Sequence, residues 1–114
     1  MTERGSDLQG GAEADSLDLR YRRVTEMFAA LASPVRAAII DLLSVKGHTV
    51  SAIVEALGIS QPLASQHLRT LRMAGLVEVE RDGRTSVYPL ADEHVAHIFL
   101  DALQHSHEQP EART

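Results

Sequence analysis

The 114-residue chain has no cysteine and carries 16 acidic against 11 basic side chains, a formal net charge of −5. Such a length holds one small domain with a poor surface-to-volume ratio, which a dimer would help, and the missing thiols exclude disulfides, thiolate metal sites and thiol catalysis. No apolar run reaches the roughly 20 residues of a membrane span, and the N-terminus lacks the basic-then-apolar order of a secretion signal, so a cytoplasmic protein is expected.

The charge is unevenly spread. Residues 1–19 hold five acids and one base, and residues 90–114 hold the same, whereas residues 20–36 hold four bases and one acid. The acidity sits at the two ends. The global sign bears on solubility and leaves the middle of the chain open to nucleic acid.

Residues 1–18, rich in Gly, Ser, Asp and Glu with few large apolar side chains, read as a disordered acidic tail. From Leu19 the spacing of Val24, Met27, Phe28 and Leu31 predicts a helix with one apolar face, suited to packing on its own core or on a partner chain. Ser33-Pro34 restarts the chain as N-cap and first helical residue. The helix that follows, to about Val45, turns Val35, Ala38, Ile39, Leu42 and Leu43 inward, and Gly47 is read as its stop. Thr49 caps a short helix over 50–57, with Ile53, Val54 and Leu57 inward and Gly58 as its end. Ser60 caps a fourth helix through Leu63, Leu68, Leu71 and Met73, stopped at Ala74-Gly75.

Two helices joined by Gly58-Ile59-Ser60 form a helix-turn-helix candidate, whose second helix would present its N-terminal end to a DNA major groove. The residues facing operator DNA would be Ser60, Gln61, Ala64, Ser65, Gln66, His67 and Arg69. Gln reads adenine edges, and Ser bonds bases or phosphates. Polar residues on one helix face are equally well a wet surface. The next elements weigh against that bland reading. Val77 to Glu80 alternates as a strand, Arg81-Asp82-Gly83-Arg84 is a tight turn, and Thr85 to Leu90 returns. A basic-tipped hairpin directly after a helix-turn-helix is a wing, with Arg81 and Arg84 placed to reach backbone phosphate or the minor groove.

The last stretch, Asp92 to Glu108, predicts a helix carrying Asp92, His94, His105 and Glu108, all metal-capable. His94 and His105 share a face but lie roughly 16 Å apart along the axis, too far for one zinc ion. Two copies packed antiparallel about a twofold axis would bring His94 and Asp92 of one chain beside His105 and Glu108 of the other, giving two symmetric sites. His94, Ile98, Asp101, His105 and Glu108 fall on one stripe; Val95, Phe99 and Ala102 form a neighbouring apolar stripe suited to the dimer seam. Together with Val24, Met27 and Phe28 they make the candidate dimer interface. Asp92 is equally well placed to cap the helix, and His97 and His107 read as surface histidines that could add ligands for a higher-coordinate metal.

The segments ALASPVRAAIIDLL (30–43) and ISQPLASQHLRTLRMAGLVEVERDGR (59–84), the YPL of 88–90 and the terminal helix resemble the ArsR/SmtB family of metal-responsive winged helix-turn-helix repressors. The resemblance covers roughly residues 20–108. It implies a mainly α fold with a small β-hairpin, dimeric through its first and last helices over residues 19–108, with residues 109–114 a C-terminal tail. It also implies operator binding by the metal-free homodimer and release on metal binding. The family's cysteine site before the recognition helix is absent, since that segment reads TVSAIVEAL. The terminal-helix site, Asp-x-His, ten residues, His-x-x-Glu, is matched in full by Asp92, His94, His105 and Glu108, as in the zinc-responsive branch, with two zinc ions per dimer. The resemblance further implies a bond from His105 to a backbone carbonyl near Gly75 that couples metal and DNA sites.

Two rivals stand beside this reading. One keeps the fold and changes the metal to cobalt or nickel, with His97 or His107 added; the other is a metal-independent DNA-binding module. An enzyme is not expected, because the chain has no HExxH motif, nucleophile elbow or phosphate-binding loop.

Overall fold

The computed structural model describes residues 6–108, with side-chain surroundings from residue 14 onward. In chain order its elements are α1 (Ser6–Leu31), α2 (Pro34–Leu43), α3 (Val50–Leu57), α4 (Gln61–Met73), the strands β1 (Glu80–Asp82) and β2 (Thr85–Val87), and α5 (Glu93–Glu108).

Polar caps decide where the helices begin. Ser33 Oγ accepts from the Arg36 amide at 3.2 Å, Thr49 Oγ1 from Ala52 at 3.1 Å and Ser60 Oγ from Leu63 at 3.2 Å. Each satisfies an amide that has no partner within its helix, worth about 1 kcal/mol against alanine. α3 ends on Gly58 in the left-handed conformation.

The expected stop at Gly47 is corrected. α2 ends at Leu43, two residues earlier than the expected Val45, and is closed by Ser44 with ordinary right-handed geometry. Gly47 serves a different need: a Cβ there would stand 2.8 Å from Val87 Cγ1, so the glycine lets β2 pass close to the α2–α3 turn.

The core lies where α2, α3 and α4 meet. Ile39, Ile40, Ile53, Leu68 and Leu71 are fully buried, joined by Leu43, Ala64, Leu76, Val77, Val95 and Ala30. Each large aliphatic side chain so buried stabilises the fold by roughly 1.5–3 kcal/mol relative to exposure. α5 packs on α2, and α1 on both α2 and α4.

The wing is an antiparallel pair with Glu80 opposite Val87 and Asp82 opposite Thr85. Its strands are shorter than the alternation over 77–90 suggests. Val77 meets Leu90 only as an isolated bridge, as does His48 with Tyr88, which ties the base of the wing to the α2–α3 turn.

α1 corrects the N-terminal boundary. A tail was expected over 1–18, yet the helix is continuous from Ser6. Leu17 and Leu19 are 58% and 75% exposed, so these two large apolar side chains of the extension are not in the core. Apolar periodicity reports burial, and here the helix continues without it. A helix nucleated by its packed C-terminal half propagates outward one bond per residue, helped locally by the Arg22–Asp18 ion pair one turn apart. Residues 1–5 and the expected C-terminal tail, 109–114, lie outside the described residues.

Candidate nucleic-acid interface and candidate metal centre

α4 is the reading-helix candidate, and its two faces are chemically distinct. Ala64, Leu68 and Leu71, spaced i, i+4, i+7, point into the core. Gln61, Ser65, Gln66, Arg69 and Arg72 are exposed. Ala64 is therefore removed from the DNA-facing set: it is fully buried, and its small side chain suits the packing of α4 against α3. Ser60 is exposed, but its hydroxyl is engaged as the cap of α4.

His67 is also displaced from the expected face. It lies about 160° around the helix from Arg69 and is half-buried, with Nδ1 3.3 Å from an Arg36 guanidinium nitrogen. Burial, and secondarily the Arg36 charge, hold its pKa below the ordinary histidine value.

The wing arginines remain at the surface. Arg81 reaches the Ser86 hydroxyl across the hairpin at 3.5 Å, and Arg84 is exposed at the turn. Between α4 and the chain leading into the wing runs a cleft of about 670 Å³ lined by Arg69, Arg72, Met73, Val77, Glu78 and Val79. Its two guanidiniums, one turn apart, give the C-terminal half of α4 a positive edge suited to backbone phosphate. Arg72 was not singled out from the sequence, although its spacing three residues after Arg69 was available to place it there.

At the start of α5, Asp92 Oδ1 accepts from the amides of His94 at 2.9 Å and Val95 at 3.2 Å. Asp92 is thus an N-cap. A carboxylate has a second oxygen, so capping through Oδ1 leaves room for ligation through Oδ2. His94 Nδ1 lies 3.6 Å from Asp92 Oδ1, with the two side chains 88% and 58% exposed. His105 and Glu108 are exposed near the other end of the same helix. Among the described residues no three metal-capable side chains of one chain converge. The donor set, imidazole and carboxylate, suits zinc, but only half of it lies at each end of α5.

The apolar residues of α5 are shared out differently from expectation. Val95 is only 6% exposed and belongs to the chain's own core, and Phe99 packs against that core. Val95 is thereby withdrawn from the candidate seam, since α5 turns this stripe toward α2. The outward stripe carries Ile98, 50% exposed, between His94 and His105, with Ala102 exposed beside it. On α1, Val24 and Phe28 are exposed and Met27 is half-buried. A groove of about 280 Å³ between the two helices is lined by these three, Arg23, Gly75, Asp92, His94 and Ile98.

The family model described as the bacterial regulatory protein, arsR family, matches residues 33–79. The HTH-type transcriptional regulator NmtR of Mycobacterium tuberculosis is 40% identical over 84 residues, covering 74% of this chain and 70% of that protein. The chain belongs to the ArsR family of bacterial regulatory proteins. The HTH-type transcriptional repressor SmtB of Mycobacterium tuberculosis is 51% identical over 83 residues, 73% of this chain and 62% of that protein, so the match spans about three fifths of that relative's length. The solution structure of a homodimeric winged helix-turn-helix DNA-binding domain from Mycobacterium bovis, a possible ArsR-family transcriptional regulator, superposes with a TM-score of 0.76. It is 31% identical, and the overlap covers 98% of this chain and 94% of that one.

As in that neighbour, the arrangement of α3, α4 and the β1–β2 hairpin is a winged helix-turn-helix. These ArsR relatives are regulators rather than enzymes. No helix among the described residues is long and apolar enough to cross a membrane.

Proposed function

We propose that this ArsR-family chain is a metal-sensing transcriptional repressor that acts as a homodimer. The metal-free dimer binds operator DNA through α4 and the wing, and metal binding between the subunits lowers that affinity. Zinc is the preferred ion. The observation that carries the reading is the division of α5: Asp92 and His94 stand at one end, His105 and Glu108 at the other, and the exposed Ile98 lies on the stripe between them.

Each site would combine Asp92 and His94 with the partner subunit's His105 and the partner subunit's Glu108. A bound zinc ion held by these four side chains would cross-link the two α5 helices. The chain's own residues do the rest. Asp92 fixes the first turn of α5 through its cap, so His94 projects from a defined backbone position. Ile98 of α5 and Val24 and Phe28 of α1 supply the apolar surface that a twofold contact needs. Gln61, Ser65 and Gln66 face the major groove, while Arg69, Arg72, Arg81 and Arg84 meet phosphate. The coupling would run from His105 toward the backbone near Gly75, where α4 ends and the wing segment begins.

Fluorescence anisotropy of labelled promoter DNA, titrated with the metal-free protein and repeated with zinc, cobalt and nickel in turn, tests the proposal. Tight binding weakened at least about tenfold by zinc, toward the lower end of the usual range of allosteric coupling, is expected. Unchanged affinity under saturating zinc overturns zinc sensing. A stronger response to cobalt or nickel moves the site to those metals.

A further inference from the structure

Arg36 makes two contacts with two different helices. Its Nε donates to the Ala30 carbonyl at 2.6 Å, and its NH1 lies 3.3 Å from His67 Nδ1. The first contact has a cause in the sequence. Within an uninterrupted helix the Ala30 carbonyl would accept from the amide of residue 34, but residue 34 is proline and has no N–H. Ala30 is 5% exposed, so an unsatisfied carbonyl there would be costly. Arg36, two residues beyond the proline, returns a donor to the same oxygen. The side chain that closes the α1–α2 joint also reaches α4.

The second contact fixes a tautomer. Guanidinium only donates, so His67 Nδ1 must accept, and the proton of the neutral ring is on Nε2. A doubly protonated His67 could not accept and would face Arg36 as a like charge.

We infer that Arg36 is a positioning residue for operator recognition: through Ala30 and His67 it holds the reading helix α4 at a fixed orientation to α1. In a dimer joined through α1 and α5, that orientation sets how the two α4 helices are presented to two half-sites. The inference rests on the DNA-binding reading for its functional readout, while the bond itself is tested without DNA. His67 thus acts through Arg36 and not as a base reader.

Imidazole nitrogen shifts of the metal-free protein read the bond directly. An Nε2–H tautomer that gives way to a mixture in Arg36→Met is expected; an Nδ1–H tautomer in the wild type overturns the inference. Operator affinity separates the roles. His67→Asn returns an acceptor near the Nδ1 position and should stay within about threefold of the wild type. His67→Leu keeps an apolar body in the half-buried site and should lose at least about tenfold, as expected for one hydrogen bond to a charged group. Arg36→Met combined with His67→Leu should be no worse than Arg36→Met alone. Equal losses in His67→Asn and His67→Leu, or no loss in His67→Leu, refute the positioning role. If the wild type binds no promoter DNA, the proposed function fails and takes the positioning role with it, whereas the tautomer result still decides the bond.

Discussion

The guanidinium of Arg23 lies 3.2 Å from the point where a Cβ on Gly75 would stand, and Gly75 has φ +79°. Two requirements meet at this residue just past the end of α4: a left-handed turn that sends the chain toward the wing, and space for a side chain arriving from α1. Gly75→Ala must meet both. It should destabilise the fold by about 1–2 kcal/mol from the backbone alone, with a further loss from the displaced Arg23. Thermal unfolding checks this against Gly58→Ala, where φ is +69° but nothing lies within 4 Å of the added Cβ. Gly75→Ala should melt lower than Gly58→Ala, and adding Arg23→Ala should recover part of the difference.

Asp92 can be divided into its two roles. Asp92→Asn keeps an N-cap of similar quality, so its melting temperature should match the wild type, whereas Asp92→Ala should lose about 1 kcal/mol. Both remove a carboxylate from the proposed zinc site. Zinc affinity measured against a chromophoric chelator should fall at least about tenfold in each, the lower end of losses seen even for residues behind the ligands. A normal zinc affinity in Asp92→Asn would show that the residue only caps.

The seam proposed along α5 and α1 depends on exposed apolar groups, so it can be attacked without touching the core. Ile98→Asp and Phe28→Asp replace side chains that are 50% and 57% exposed. Sedimentation should show a dimer dissociation constant raised at least about thirtyfold for a central contact, with helical content unchanged. Val95→Asp should instead unfold the chain, because Val95 is buried in its own core.

Acid should loosen the α2–α4 contact. Burial, and then Arg36, hold His67 below its ordinary pKa, so the folded chain favours the neutral ring. The charged group facing it from α2 is Arg36, and Glu26 of α1 lines the cleft beside that arginine. A lowered folded-state pKa contributes stability above the unfolded value near 6.5; that contribution is lost as pH falls through the folded value. Melting curves at about pH 7.5 and pH 5.5 should therefore show a larger loss for the wild type than for His67→Asn, the other histidines being common to both.

Much of the local structure was legible in the residues. Ser33, Thr49 and Ser60 cap the helices they were expected to cap, because capping needs only a short polar side chain at the right offset from its own helix; Asp92, which the residues left open between cap and ligand, caps α5 in the same way. The Arg81–Arg84 turn also lies where Asp82-Gly83 places it. What periodicity could not give was the direction in which a stripe faces. Val95 and Phe99 form an apolar stripe that serves equally well as core or as seam, and only the packing of α5 on α2 assigns it to the core. Ala64 and His67 sit among polar neighbours in the sequence and still turn inward, since α4 buries one face against α3 and the other edge toward Arg36.

The sequence by itself determined the order of helices and wing, the starts of α2 to α5 and the family, since these follow from local spacing, capping chemistry and a matched pattern of residues. It also determined that one α5 helix cannot gather its four metal-capable side chains, because the rise per residue keeps His94 and His105 roughly 16 Å apart. Only the tertiary structure decided that Ile98 rather than Val95 faces outward, that Gly47 and Gly75 answer to neighbouring chain segments, and that Arg36 bridges Ala30 and His67. Those outcomes depend on where separate helices come to rest against one another, a long-range consequence of burying Ile39, Ile40, Ile53, Leu68 and Leu71 together.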